Sequence, residues 1–190
     1  EVGPENPLPA LANPGDVHAS KPEGTGIPDE MLENMAYARI PNILPYTLQD
    51  GYNRQRQRRG LPVAVLENQT LRATFALGLG GRLWSLIHKP SGRELMCRNP
   101  VFQPANLALR NAWFSGGVEW NIGMIGHCPF TCSPLFAARA RTEDGTPVLR
   151  LYEWERIRQT PFQIDAYLPD GSPVLFVRIR ILNPHDRVMP

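Results

Sequence analysis

From Leu61 onward, apolar residues recur at every second position, the period of a β-strand with one covered face. Val63-Ala64-Val65-Leu66-Glu67 and Leu71-Arg72-Ala73-Thr74-Phe75-Ala76-Leu77 are parted by Asn68-Gln69-Thr70, which predicts an antiparallel hairpin. Arg82 to His88 makes the next run, Lys89-Pro90-Ser91-Gly92 reads as a turn, and Arg93 to Cys97 as the returning strand. Beyond a Trp-rich stretch, Phe136 to Arg141, Val148 to Arg156, Phe162 to Leu168 and Val174 to Leu182 predict four further strands. Two of their turns, Glu143-Asp144-Gly145-Thr146 and Pro169-Asp170-Gly171-Ser172, hold the Asp-Gly pair that supplies the positive φ of tight hairpins. In the last strand Val177, Ile179 and Ile181 alternate with Arg178, Arg180 and Leu182, which predicts one buried face. Around Leu149, Leu151 and Trp154 the alternation is less clean. Arg150, Glu153, Glu155 and Arg156 are expected to form cross-strand ion pairs with Arg178 and Arg180. Short strands at regular spacing with hairpin turns place the chain in the all-β class, as an antiparallel β-sandwich or barrel.

Residues 1–43 follow a different pattern. Pro4, Pro7, Pro9, Pro14, Pro22 and Pro28 punctuate a stretch with no strand or helix period, an extended Pro-rich arm. Pro28 to Tyr37, with acidic residues behind a Pro start and apolar positions three to four apart, predicts at most one short helix. Arg39 to Gly60 reads as a connector. The expected organisation is an arm over 1–43 and a sandwich over 44–190.

Composition narrows the function classes. The chain has 190 residues, and a hydrophobic share of 42% suffices for a real core. Twenty basic against 18 acidic side chains give a net charge of +2, which asks for neither nucleic acid nor an acidic membrane surface. The run Arg54, Arg56, Arg58 and Arg59 reads as a solvated linker. No stretch of about 20 apolar residues exists, and Glu1-Val2-Gly3-Pro4 lacks the basic and apolar regions of a secretion signal. Cys97, Cys128 and Cys132 are an odd set that forms no disulfide framework, so a reducing, cytoplasmic setting is expected. Cys128 and Cys132 beside His127 fall short of the four ligands of a structural zinc site, so neither metal nor cofactor is expected. The absence of an initiator Met suggests a piece of something longer.

Candidate chemistry concentrates between Phe102 and Cys132. Trp113 and Trp120 offer aromatic faces for the C–H side of a pyranose, while Asn106, Asn121 and Arg110 can read hydroxyls. Glu119 beside His127 could move protons, and Gly116-Gly117 would let the backbone approach a ligand. Equally, both tryptophans could fill the core, and Glu119 could pair with Arg110 or Arg82.

Five segments go beyond patterning. Gly78-Leu79-Gly80-Gly81-Arg82-Leu83-Trp84-Ser85-Leu86, followed by Lys89-Pro90-Ser91-Gly92-Arg93-Glu94-Leu95, resembles the opening hairpins of the galactose mutarotase-like supersandwich. Asn99 to Asn106, Trp113-Phe114-Ser115-Gly116-Gly117-Val118-Glu119-Trp120-Asn121 and Leu151 to Arg156 resemble a bacterial domain of unknown function. That domain commonly precedes tetratricopeptide repeats in large cytoplasmic proteins. The resemblance covers about Leu44 to Pro190. It implies a partial carbohydrate-processing β-sandwich whose concave sheet holds a saccharide, with a helical-repeat domain elsewhere in the polypeptide. In mutarotases the catalytic base lies in the C-terminal half of the fold, for which this chain offers no counterpart, so Glu119 and His127 take the acid–base roles only by analogy.

The leading expectation is therefore a carbohydrate-recognising domain of a larger protein, with Glu119 and His127 as catalytic candidates and Asn106, Arg110, Trp113, Trp120 and Asn121 as saccharide-binding ones. The rival is a structural domain that packs against helical repeats or a second copy in a homo-oligomer. A complete mutarotase or glycosidase would need a second carboxylate about 5 to 10 Å from Glu119, and the sequence suggests none.

Overall fold

The structure is a computed structural model that describes residues 26–31, 43–123 and 127–189. Among these residues eight strands form two four-stranded antiparallel sheets, in each of which sequence neighbours are spatial neighbours. The first sheet holds β1 (Val63–Glu67), β2 (Leu71–Ala76), β3 (Arg82–His88) and β4 (Arg93–Glu94). The second holds β5 (Phe136–Arg141), β6 (Pro147–Glu155), β7 (Thr160–Tyr167) and β8 (Phe176–Ile181). The predicted strands and hairpin turns are all present. Gly145 and Gly171 adopt φ of 87° and 70°, as their turns require. The predicted sandwich is what the chain forms.

Its core is made where the two sheets face. Ala73 and Phe75 of β2 and Leu83 of β3 pack in one cluster with Leu149 and Leu151 of β6 and Phe162, Ile164 and Ala166 of β7. Phe75, Leu151 and Ile164 are fully buried, and each such side chain contributes roughly 1.5–3 kcal/mol relative to exposure. A bulge between Thr74 and Phe75 pairs Phe75 with Leu83 and leaves Trp84 unmatched. Trp84 joins a second cluster, stacked on Phe102 at 4.2 Å and near Phe114 at 6.1 Å. That cluster anchors the long connection of residues 95–135, which carries the isolated bridges Leu83 to Val118 and Ala105 to Trp113.

Two expectations require correction. β8 has no buried face: Val177, Ile179 and Ile181 are 38%, 49% and 56% exposed. They pair with Ala166, Ile164 and Phe162, which are buried, so they lie on the same side of the sheet. The first sheet does not extend over them, and alternation records a face without recording whether anything covers it. Nor does Glu155 pair with Arg178 or Arg180: it is fully buried and accepts from the Tyr46 hydroxyl and the Ile157 and Arg158 amides. Arg150 instead holds Asp165 through two contacts of 2.8 Å. That pair holds the Asp165 carboxyl below its usual range, with Arg178 adding a smaller pull.

Of the predicted helix, residues 29–31 are helical, with the Met31 N–H on Pro28 O at 2.9 Å. Its remainder, and the predicted arm up to residue 25, lie outside the described residues. Among the described residues no helix is long and apolar enough to cross a membrane.

An open apolar edge strand is a template for association. The isolated chain is expected to self-associate with rising concentration, and Ile179→Lys with Ile181→Lys to restore a monomer at a stability cost within about 0.5 kcal/mol each. Sedimentation velocity and urea titration read the two effects. A wild-type chain that stays monomeric at high concentration would contradict this.

Candidate functional site

The approach of the 95–135 connection to β3 is set by glycine. Gly117 sits at φ 67°, and a Cβ there would lie 2.3 Å from Leu83 O, so only glycine allows the close descent that the Val118–Leu83 bridge completes. This turns Glu119 inward over β3. Its Oε2 accepts the indole N–H of Trp113 at 2.9 Å and lies 3.0 Å from His127 Nδ1 and 3.5 Å from Arg82 Nη2. Its Oε1 accepts the Cys128 N–H at 3.2 Å, which Asn121 Oδ1 also accepts at 2.8 Å.

Arg82 is buried beneath this carboxylate. It donates to Phe114 O and Gly116 O through Nη1 and to Thr131 Oγ1 through Nη2, and its guanidinium lies 4.0 Å from the Phe114 ring centroid. Burial lowers the Arg82 pKa and Glu119 opposes that shift. The pair stitches both arms of the connection onto β3.

Glu119, His127, Trp113 and Asn121 are thus brought together, with the His127 ring 5.0 Å from that of Trp113. Trp120 turns elsewhere and gives its indole N–H to Gly81 O at 2.9 Å. Asn106 pairs with the Tyr52 hydroxyl. The cavity beside Glu119 measures about 10 Å³, room for a single water and not for a pyranose. Burial pushes the Cys128 thiol up to about 11 and the Cys132 thiol up to about 12, so both stay protonated at neutral pH. Among the described residues no group of three or more His, Cys, Asp or Glu side chains could hold a metal ion.

Arg110 stands apart from Glu119, in a cleft of about 330 Å³ lined with Tyr46, Thr47, Ser133, Glu153 and Arg156. Its Nε donates to Thr47 O at 2.7 Å, and Nη1 donates to Pro129 O at 3.0 Å and Ser133 Oγ at 2.9 Å. Tyr46 forms the floor: its hydroxyl donates to Glu155 Oε1 at 2.9 Å and accepts the Arg156 N–H at 2.9 Å. The guanidinium carbons of Arg110 and Arg156 lie 5.5 Å and 5.3 Å from the Tyr46 ring centroid. Burial lowers the Arg110 pKa, and the nearby Arg156 charge acts in the same direction.

Sequence reasoning placed Arg110 among the binding residues but missed the rest of this cleft. Tyr46 and Thr47 lie in a stretch read as connector, and Glu153 and Arg156 looked like strand ion pairs. The available signal was weak, an aromatic and a hydroxyl in Pro45-Tyr46-Thr47 immediately after the apolar Ile43 and Leu44.

Against known proteins, a sequence profile of the family described as "Domain of unknown function (DUF5107)" matches residues 38–190. Among solved structures, a TPR-domain containing protein from Parabacteroides distasonis ATCC 8503 superposes with a TM-score of 0.69 at 24% identity over 75% of this chain. The likeness shows the fold. The chain spans 24% of that protein's length, about a quarter.

Proposed function

The chain belongs to the DUF5107 family of domains of unknown function, and on that premise we propose that it is a carbohydrate-recognising module of a longer polypeptide, with the polar cleft at Arg110 as its binding site. The carrying observation is the cleft's volume of about 330 Å³ and its lining, a size typical of small-molecule sites. Guanidinium donors, the Glu153 acceptor and the Thr47 and Ser133 hydroxyls match the alternating donors and acceptors of a sugar, while Pro45, Pro134 and the Phe130 ring supply apolar surface. Glu119 and His127 act in this reading as positioning residues. Through Arg82 and the Cys128 amide they hold the loop that carries Pro129 and Ser133 against Arg110.

The sandwich over 44–190, of galactose mutarotase-like kind, would then display the cleft, with the Pro-rich arm of residues 1–43 preceding it. A second reading, docking of helical repeats, is favoured by the open β8 face and by the TPR-domain containing protein of similar fold. The two are compatible, since no residue of β8 lines the cleft.

A thermal-shift and calorimetric screen against mono- and oligosaccharides tests the first reading. At least one sugar is expected to raise the melting temperature, and Arg156→Gln to weaken it about tenfold or more, the worth of one charge-assisted hydrogen bond. A screen without any hit would sink this assignment, as would a hit indifferent to Arg156→Gln.

A further inference from the structure

We infer that the saccharide taken by this cleft is acidic, a uronic acid or a chain of uronic acids, whose carboxylate seats on the guanidinium of Arg156. The inference rests on the carbohydrate reading of the cleft and adds the class of sugar.

Charge carries the argument. Two guanidinium groups, Arg110 and Arg156, meet at the Tyr46 ring, while among the described residues the one carboxylate lining the cleft is Glu153. Glu153 meets Arg156 as an ion pair without a hydrogen bond: its Oε2 lies 3.6 Å from Arg156 Nη2, and its Oε1 accepts the Trp154 N–H at 2.7 Å. The other nearby carboxylate, Glu155, sits behind Tyr46 and is taken up by the Tyr46 hydroxyl and the amides of Ile157 and Arg158. Among the described residues the lining itself therefore carries one cation more than its anions.

Geometry assigns the roles. Arg110 is held by Thr47, Pro129 and Ser133, so it cannot swing out to solvent and its charge stays fixed in the wall. Arg156 has a side chain that is 41% exposed and, beside its 3.6 Å ion pair with Glu153, rests on the Tyr46 and Phe130 rings, so its planar fork can face a planar carboxylate. The Ser133 hydroxyl, which already accepts from Arg110 and from Gln49 Nε2 at 3.0 Å, keeps its own proton for a sugar oxygen. A neutral hexose would use the hydroxyls and leave the excess charge uncompensated.

Isothermal titration of the 190-residue chain with glucuronate, galacturonate and trigalacturonate, beside glucose, galactose, glucose 6-phosphate and succinate, tests this. Uronates are expected to bind about tenfold or more tightly than their neutral parents, to weaken with added salt, and to lose that advantage in Arg156→Gln. Equal binding of glucose and glucuronate would overturn the acidic preference and leave the carbohydrate reading in place. Tighter binding of glucose 6-phosphate would overturn the carboxylate assignment. Succinate binding as well as the uronates, or silence from every probe, would overturn both.

Discussion

Glu119→Ala is expected to destabilise the domain by roughly 3–5 kcal/mol, the cost of leaving a buried charge without its partner. Arg82 is buried and has Glu119 as its nearest anion, at 3.5 Å. Trp113 Nε1 and the Cys128 amide lose their acceptor as well. Glu119→Gln retains an acceptor but not the charge, and should fall between wild type and alanine. His127→Ala should cost less than about 1 kcal/mol, because its side chain is 34% exposed and exposed pairs contribute little. Urea denaturation measures all three, and an Arg82 and Glu119 double-mutant cycle isolates the coupling. A loss below about 1 kcal/mol for Glu119→Ala would remove the argument that this carboxylate holds the connection to β3. Because the same substitution loosens the loop bearing Ser133, sugar binding should weaken alongside stability. In Arg156→Gln binding should weaken alone.

Glu155→Ala carries a comparable expected loss, again roughly 3–5 kcal/mol, for a different reason. The Glu155 carboxylate is fully buried and accepts from the Tyr46 hydroxyl at 2.9 Å, the Ile157 amide at 3.0 Å and the Arg158 amide. It ties the β6–β7 turn to the segment bearing Tyr46. Gly123 packs against it so closely that a Cβ there would stand 2.6 Å from Glu155 Cγ. Tyr46→Phe removes one of these bonds and should cost about 1–2 kcal/mol.

The pair also has a signature in base. Burial pushes the Tyr46 pKa well above its ordinary value, and the Glu155 charge adds to the rise. The unfolded chain releases this proton near pH 10, whereas the folded chain keeps it, so the unfolded state binds fewer protons and stability falls as pH rises above about 10. In Tyr46→Phe that part of the decline should vanish. Urea midpoints between pH 8 and about 11 for the two proteins, compared as slopes, measure it. Equal slopes would mean that Tyr46 ionises as freely in the fold as in the open chain.

Local chemistry made most of the architecture legible from the chain. Period-two alternation places β1–β3 and β5–β8, and the Asp-Gly turns fix which strands are neighbours, because side-chain direction and turn geometry depend on residues only a few positions apart. The gathering of Glu119, His127, Trp113 and Asn121 was also readable, since all four lie within 15 residues on one glycine-rich connection. Their role was not. Whether a carboxylate faces a ligand or a buried guanidinium depends on Arg82, 37 positions upstream, and on how closely Gly117 lets two backbones approach.

The cleft was still less visible. Tyr46 meets Glu155 and Arg156 across more than 100 residues, and nothing in either segment announces the other. Burial of Glu155 and exposure of β8 ran against their sequence patterns for one shared reason: alternation tells which side chains share a face, whereas the relative extent of the two sheets decides which part of that face is covered. The strands, their order and the cluster at Glu119 follow from the sequence by itself. The covered centre, the open edge at β8 and the charged cleft between Arg110 and Arg156 come from tertiary packing, because desolvation and charge pairing are set by atoms distant in the chain and close in space.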